Sequence, residues 1–205
     1  MQINKNPMAE FFDNLAPGWD EIHLPSPLVI NRILEFTDLH PGHHVLDVAC
    51  GTGALFPYYL ERKAEQITGV DLSSAMIAIA RRKFPQSNIH LIRADIRACR
   101  FDEPFDRCVV YNSFSYFTEP EQFLPRLAQC VKPGGRITIA QSHRDRSEKQ
   151  GPLSRPLPEP ETLARMLAPW FVVDVCLEDQ DMFAVSGVRN DAALSPIFSA
   201  AGEKK

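Results

Sequence analysis

Short apolar runs alternate with amphipathic segments along most of the chain. The first run carries apolar residues on both faces, which is typical of a buried parallel strand. The runs predict strands over Val45–Ala49, Gln66–Val70, Ile89–Arg93, Asp106–Tyr111 and Arg136–Gln141. The amphipathic segments predict helices over Ala9–Leu15, Pro27–Thr37, Ala54–Arg62, Ser74–Phe84, Glu119–Cys130 and Glu161–Leu167. Such alternation indicates a mostly parallel sheet with helices on both faces.

The last third of the chain departs from this alternation. Residues 142–160 are polar and rich in proline, which predicts a long, mobile loop. Four polar residues join predicted strands over Phe171–Leu177 and Met182–Val188, a hairpin pattern that adds one antiparallel strand. Residues 191–205 form a tail of mainly small residues. No internal repeat or linker divides the chain, so we expect a single domain over residues 1–190.

A glycine turn follows the first predicted strand. Residues 44–53 read His-Val-Leu-Asp-Val-Ala-Cys-Gly-Thr-Gly, and Asp71 ends the next apolar run. Glycines let the backbone approach a ligand closely, and a carboxylate about 20 residues later accepts hydrogen bonds from ribose hydroxyls. The motif therefore predicts a site for a ribose-bearing cofactor.

A dinucleotide such as NAD is one cofactor of this kind. Its fingerprint, Gly-x-Gly-x-x-Gly/Ala, needs a small third residue so that helix and strand pack closely. Counted from Gly51 and Gly53, the third position is Phe56, a large aromatic residue. This position argues against NAD, and a nucleotide-dependent oxidoreductase remains only as an alternative that rests on the shared strand–turn–helix pattern.

Counted from Asp47 to Gly53, the same turn resembles the first motif of class I S-adenosylmethionine (SAM) methyltransferases, Asp/Glu-x-Gly-x-Gly-x-Gly, with Ala49 at the first glycine. Further segments extend the resemblance over residues 10–188. Residues 91–96 are similar to the family's third strand and the acid that follows it. Residues 105–112 are similar to its fourth strand, and residues 131–140 to its Lys-Pro-Gly-Gly turn. Residues 11–20 resemble the Phe-Asp-x-x-Ala-x-x-Tyr-Asp opening of quinone-type (ubiquinone/menaquinone) and related small-molecule methyltransferases, with Trp19 in place of tyrosine.

The resemblance implies a Rossmann-like, doubly wound α/β fold. Its seven-stranded sheet would be mostly parallel, with one antiparallel strand and helices on both faces, and residues 1–40 would form an N-terminal helical lid. The implied activity is methyl transfer from SAM to a small-molecule acceptor, which leaves S-adenosylhomocysteine (SAH) as product. A SAM-binding sensor or accessory protein without catalysis remains the alternative, because the sequence offers no unambiguous catalytic base.

Ligands of open α/β sheets bind at the carboxyl ends of the strands, so polar residues near those ends are the candidates for the site. By the resemblance, Asp71 holds the ribose hydroxyls, Leu72 packs on the adenine, and Asp95 accepts from the adenine amino group. The expected cofactor-binding residues are Trp19, Asp47, Ala49, Cys50, Gly51, Gly53, Asp71, Leu72, Met76, Asp95, Ile96, Asn112 and Ser113. A structural role stays open for several of them, above all for Asp47, Met76 and Trp19.

Methyl transfer from a sulfonium is an in-line displacement, so the protein mainly aligns the reactants and excludes water. A general base helps only when the nucleophile must lose a proton. His143, just after the fifth strand, is the first candidate for a base or a substrate contact, and Tyr111 and His23 are further ones. Four residues are expected to form an apolar, aromatic substrate wall: Trp19, Phe114, Tyr116 and Phe117.

The composition and net charge of the chain limit the kinds of partner that we expect it to bind. The 205 residues are 44% hydrophobic and 23% charged, as is usual for a globular protein. The net charge of −4 leaves no broad basic face for nucleic acid. Five scattered cysteines without a Cys-x-x-Cys pair give neither a zinc site nor a disulfide framework. We expect a cytoplasmic monomer or homodimer with no metal, membrane or nucleic-acid partner, and the acceptor atom stays open among C, N, O and S.

Overall fold

The computed structural model describes residues 6–23, 26–142 and 153–190. Seven strands form one sheet: β1 His44–Val48, β2 Gln66–Asp71, β3 Ile89–Arg93, β4 Phe105–Tyr111, β5 Val131–Ser142, β6 Phe171–Glu178 and β7 Met182–Arg189. Their order is β3-β2-β1-β4-β5-β7-β6, and β7 runs antiparallel to both of its neighbours. The expected mostly parallel sheet with one antiparallel strand is therefore confirmed.

Helices cover both faces of this sheet. They are α1 Pro7–Leu15, α2 Trp19–Ile22, α3 Pro27–Thr37, α4 Phe56–Glu61, α5 Ser74–Lys83, α6 Pro120–Cys130 and α7 Pro160–Leu167, with a 3-10 turn over Phe114–Tyr116. One face packs against Leu127 of α6 and Leu163 of α7. The other packs against Ile30 of α3, Tyr59 of α4 and Ile77 of α5. None of the helices in the described ranges is long and apolar enough to cross a membrane.

The predicted elements occur, with ends that shift by one or two residues at most positions. The larger correction is β5, which begins at Val131 rather than Arg136. A bulge between Phe105 and Arg107 of the neighbouring strand accommodates the early start. Gly135 makes the close approach possible, because a Cβ there would lie 2.9 Å from the Asp106 carbonyl oxygen. Most of the predicted loop (residues 143–152) and the tail at 191–205 lie outside the described residues.

The Phe56 side chain explains why an aromatic residue follows the glycine turn. It is fully buried, and its ring fills the space that two glycines leave open. A Cβ on Gly53 would lie 2.7 Å from Phe56 Cδ2, and a Cβ on Gly69 would lie 2.7 Å from Phe56 Cζ. The ring thus takes the packing role that a small residue has in the dinucleotide fingerprint.

Two carboxylates attach α1 and α2 to the sheet domain. Asp13 Oδ1 accepts from the Ser73 hydroxyl at 2.6 Å and from the Ala75 N–H at 2.9 Å, at the start of α5. Asp20 accepts from the Thr52 hydroxyl at 2.5 Å and pairs with Lys83 at 2.7 Å. The N-terminal helices are therefore docked against the glycine turn and α5.

Candidate cofactor and acceptor site

The carboxyl ends of β1 to β5 open into a cavity of about 1420 Å³. Small-molecule pockets typically measure roughly 300–1,000 Å³, so this cavity has room for a cofactor and a second small molecule. α1 and α2 contribute aromatic side chains to its wall, including Phe12 and Trp19. The described residues contain no group of three or more His, Cys, Asp or Glu arranged to hold a metal ion.

The glycine turn adopts left-handed backbone at alternate residues. The φ angles are 56° at Ala49, 56° at Gly51 and 84° at Gly53. Glycine accepts this conformation freely, whereas an L-residue there costs about 1–2 kcal/mol. Ala49 therefore holds a strained conformation at the first glycine position of the motif, which is a common feature of ligand-binding turns.

Asp71 links the turn to the second strand. Its carboxylate accepts from the Gly51 N–H at 2.8 Å through Oδ2 and from the Ser73 N–H at 2.8 Å through Oδ1. Burial raises the pKa of Asp71, and the Ser73 and Gly51 N–H groups act in the opposite direction. The carboxylate also lines the cavity, so ribose hydroxyls would add donors to its ionised form.

Next to Asp71, the ends of β2 and β3 form an apolar recess with one acid. Leu72, Met76 and Ile96 line it, and Met76 and Ile96 are buried. Arg97 donates to Asp95 Oδ2 at 2.7 Å, and its hydrogen bonds lower the pKa of Asp95. Arg97 was not singled out from the sequence, because an arginine two residues after an acid carries no motif of its own.

Two expected cofactor-binding residues do not line the cavity. Gly53 packs beneath the Phe56 ring. Asp47 is buried within β1, at 2% exposure. The structure thus favours the structural role for both: Gly53 gives close packing and Asp47 lies in the core beside Tyr59. The rest of the expected set lines the cavity: Trp19, Ala49, Cys50, Gly51, Asp71, Leu72, Met76, Asp95, Ile96, Asn112 and Ser113.

Burial raises the pKa of Asp47 to about 8, while the Tyr59 hydroxyl lowers it and the charge of Asp71 raises it further. In the unfolded chain an aspartate titrates near 3.9. Between these two values the folded protein holds a proton that the unfolded chain has lost, so Asp47 makes stability fall as the pH rises.

We therefore expect Asp47→Asn, which mimics the protonated acid, to stabilise the fold at about pH 8 by roughly 1–3 kcal/mol. The advantage should shrink toward about pH 4, where the unfolded wild-type chain also regains its proton. Urea unfolding at several pH values measures it.

Asp106→Asn is the matched control with the opposite sign. Burial alone would raise the pKa of Asp106, but hydrogen bonds from His44 and Lys132 lower it overall. Its replacement should therefore cost stability near neutral pH, where the wild-type carboxylate is ionised. An Asp47→Asn variant whose advantage does not depend on pH would contradict this account.

The other side of the cavity lies at the ends of β4 and β5. Asn112 has a φ of 52°, and its Oδ1 accepts from the Ser142 N–H at 2.8 Å, which joins the two strand ends. Tyr111, the last residue of β4, lines the cavity. Ser113 is buried, and its hydroxyl donates to the Val48 carbonyl at 3.5 Å.

The candidate catalytic residues occupy different positions. His23 stacks on Trp19 at 3.7 Å between ring centroids, and its Nδ1 lies 3.3 Å from the Trp19 carbonyl oxygen. Both His23 and Tyr111 line the cavity. His143 lies outside the described residues.

The expected aromatic wall needs one correction. Phe114 packs in the core against Phe123, with ring centroids 6.0 Å apart, and does not line the cavity. Phe12 of α1 takes part instead: its ring contacts Tyr116 at 5.0 Å and Trp19 at 5.9 Å. Phe12 belongs to the opening motif at residues 11–20, but the motif did not indicate this role, because the contacts join the N-terminal helices to the segment after β4.

Comparison with known proteins agrees with this geometry. A family model described as a methyltransferase domain matches residues 45–135. The ubiquinone biosynthesis O-methyltransferase of Coxiella burnetii (strain Dugway 5J108-111) is 29% identical over 152 residues, which cover 70% of this chain and 64% of that protein. The 2-phytyl-1,4-naphtoquinone methyltransferase of Nostoc sp. (strain PCC 7120 / SAG 25.82 / UTEX 2576) is 27% identical over 156 residues, 70% of this chain and 68% of that protein.

Among solved structures, the N-methyltransferase NodS from Bradyrhizobium japonicum WM9 in complex with SAH has the same fold. The TM-score is 0.72 at 18% identity, with 90% of this chain and 99% of that chain covered. In its fold, its motifs and the match over residues 45–135, this chain is similar to methyltransferases, the class that the sequence indicated. The match to the methyltransferase-domain model covers residues 45–135 of the 205, and the chain spans 64% of the length of the Coxiella relative.

Proposed function

We propose that this protein transfers a methyl group from SAM to a small, largely apolar acceptor. One observation carries the proposal. A single cavity joins the Asp71–Gly51 corner, which suits a ribose, to an aromatic-walled region at the ends of β4 and β5. When bound, SAM supplies a methyl group on a sulfonium that is already activated for displacement.

Several residues that line the cavity are proposed to bind the cofactor. Asp71 accepts from the ribose hydroxyls, Asp95 accepts from the adenine amino group, and Met76 packs against the adenine face. The turn from Ala49 to Gly51 passes along the amino-acid end of the cofactor. Support comes from the position of these residues in one cavity and from the hydrogen bonds that fix Asp71 and Asp95.

Electrostatics favour a cationic ligand in this cavity. Its described lining holds four acids and one guanidinium: Glu21, Asp71, Asp95, Asp181 and Arg97. Arg97 is paired with Asp95 at 2.7 Å. Because SAM carries a sulfonium charge that SAH lacks, a surplus of carboxylates favours the cofactor over its product.

Aromatic side chains enclose the part of the cavity in which the acceptor is proposed to bind. On one side the Phe12 ring contacts both Trp19 and Tyr116 edge to face. Tyr111 and Asn112 line the cavity at the end of β4. Planar apolar molecules pack well against such rings. The names of two relatives, which refer to ubiquinone biosynthesis and a naphtoquinone, support an aromatic acceptor. His23 and Tyr111 are proposed to orient this acceptor and to exchange its proton, and His143 is a further proposed contact.

The wider organisation belongs to the same proposal. Residues 1–190 act as one SAM-binding domain. Within the lid expected over residues 1–40, α1 and α2 serve as the lid, whereas α3 packs against the sheet through Ile30. The expected tail at 191–205 lies outside the described residues. The contacts of Asp13 and Asp20 with α5 and the glycine turn support the lid. The protein is proposed to be a cytoplasmic monomer or homodimer, and its net charge of −4 supports the absence of a nucleic-acid partner.

A methyl-transfer assay tests the proposal. Purified protein is incubated with methyl-labelled SAM and a panel of hydroxylated, amino and thiol aromatic compounds, and both labelled product and SAH are quantified. We expect product from at least one aromatic acceptor, with SAH formed in equal amount. Tight SAH binding without turnover of any acceptor would favour the non-catalytic alternative, and absence of SAH binding would contradict the proposal.

A further inference from the structure

Gln141 is a buried polar residue whose hydrogen-bonding needs the fold does not meet. It is the penultimate residue of β5, is 5% exposed and lines the cavity. Its Oε1 is buried and accepts no hydrogen bond from the described part of the chain. An unsatisfied buried acceptor typically costs about 1–3 kcal/mol, so a ligand that supplies a donor recovers this cost.

The place of Gln141 in the sheet separates it from the cofactor corner. In the order β3-β2-β1-β4-β5, Asp95 and Asp71 follow the strands at one side, and β5 lies beyond β4 on the other. Register pairs Ala140 of β5 with Tyr111 of β4, so Gln141 is level with the end of β4. The neighbouring amide of Asn112 is already bound by the Ser142 N–H at 2.8 Å.

We propose that Gln141 determines acceptor specificity by accepting a hydrogen bond from an O–H or N–H group on an aromatic acceptor. This inference rests on the proposed function. A neutral amide is not a base, so Gln141 takes no proton. It fixes the ring position and thereby the direction of the nucleophile. The aromatic wall of Phe12, Trp19 and Tyr116 supplies the apolar contact, and the amide oxygen supplies the polar one.

A site built around a hydrogen-bond acceptor discriminates against ligands that lack the donor. Catechol and 1,2-dimethoxybenzene form a matched pair of probes, because they share a ring and only catechol carries donors. We expect the SAH-saturated protein to bind catechol about tenfold more tightly than 1,2-dimethoxybenzene. Competition calorimetry or ligand-observed NMR measures both affinities.

Two variants isolate the amide oxygen. Gln141→Met keeps the length of the side chain and removes the strong acceptor, so the preference for catechol should disappear. Gln141→Glu keeps acceptor oxygens, so the preference should persist. Gln122→Met, on the exposed side of α6, should behave as the wild type. SAH affinity is measured for every variant and should stay unchanged, which also reports that each protein is folded.

The outcomes separate this inference from the proposed function. A wild type that binds SAH but shows no preference, or a Gln141→Met protein that keeps the preference, overturns the role of Gln141. Failure of the wild type to bind SAH overturns the proposed function. The probe titrations are repeated without SAH, so that the Gln141 comparison can be made in that case too.

Discussion

Replacing Asp71 with alanine is expected to weaken SAH binding at least about 100-fold. The carboxylate would accept hydrogen bonds from two ribose hydroxyls, and each hydrogen bond to a charged group contributes roughly 1.5–3 kcal/mol. The substitution also removes the partner of the Gly51 N–H, 2.8 Å away, which fixes the glycine turn. Both the direct contact and the shape of the turn are lost at once, so the effect on binding should exceed that of any other single change in the site.

Calorimetric titration of SAH measures this effect. Asp106→Ala is the matched control at the opposite end of the sheet. Asp106 also accepts from a backbone N–H, that of His44 at 2.9 Å, and pairs with Lys132 at 2.9 Å. Its loss should lower stability and leave SAH affinity unchanged. An Asp71→Ala protein that is folded and binds SAH within about threefold of the wild type would contradict the assignment of the ribose corner.

The substitution Gly53→Ala is expected to destabilise the fold by about 2–5 kcal/mol, the sum of two separate costs. The first is left-handed backbone, with φ at 84°, which costs an L-residue about 1–2 kcal/mol. The second is overpacking of about 1–3 kcal/mol, because the new methyl group would lie 2.7 Å from Phe56 Cδ2 and 2.8 Å from Phe84 Cε2. In a domain of this size the melting temperature should fall by roughly 5–15 °C.

Gly42→Ala separates the two costs. Gly42 has nearly the same φ, 85°, and nothing lies within 4 Å of an added Cβ. It should lose only the backbone cost, about 1–2 kcal/mol. Thermal unfolding of the two variants side by side measures the difference. Equal losses would show that the Phe56 ring moves away at little cost and that its packing does not constrain the turn.

Much of the fold follows from local patterns in the sequence. The apolar runs and the glycine turn predicted the strands near their observed ends. A buried strand of a parallel sheet is apolar on both faces, and its N–H and C=O groups are paired with neighbouring strands, so the apolar run and the strand have nearly the same bounds. The start of β5 at Val131 was not predictable. A Lys-Pro-Gly-Gly segment is typical of a turn, and only pairing with Phe105 across a bulge makes it part of a strand. Helix α2 spans four residues, too few to show a period.

The candidate site was predicted less completely, for a different reason. Asp71, Asp95 and the glycine turn follow strand ends, so their place could be read from the sequence pattern. Gln141 also ends a predicted strand, but it was not singled out, because its importance comes from burial and from the lack of a partner for its Oε1 among the described residues. Asp47 belongs to the motif, yet its side chain lies in the core, which depends on the packing of Tyr59. Long-range contacts of this kind are set by tertiary structure alone.

Thermal unfolding with SAM, SAH and NADH tests the central claim most directly. A ligand present at 100 times its dissociation constant adds about 2.7 kcal/mol to stability, which raises the melting temperature of a domain of this size by roughly 5–10 °C. We expect SAM and SAH each to give such a rise, and NADH to give none, because the third position of the dinucleotide fingerprint is Phe56. A rise with NADH alone, or no rise with either SAM or SAH, would contradict the assignment of this cavity as a SAM site.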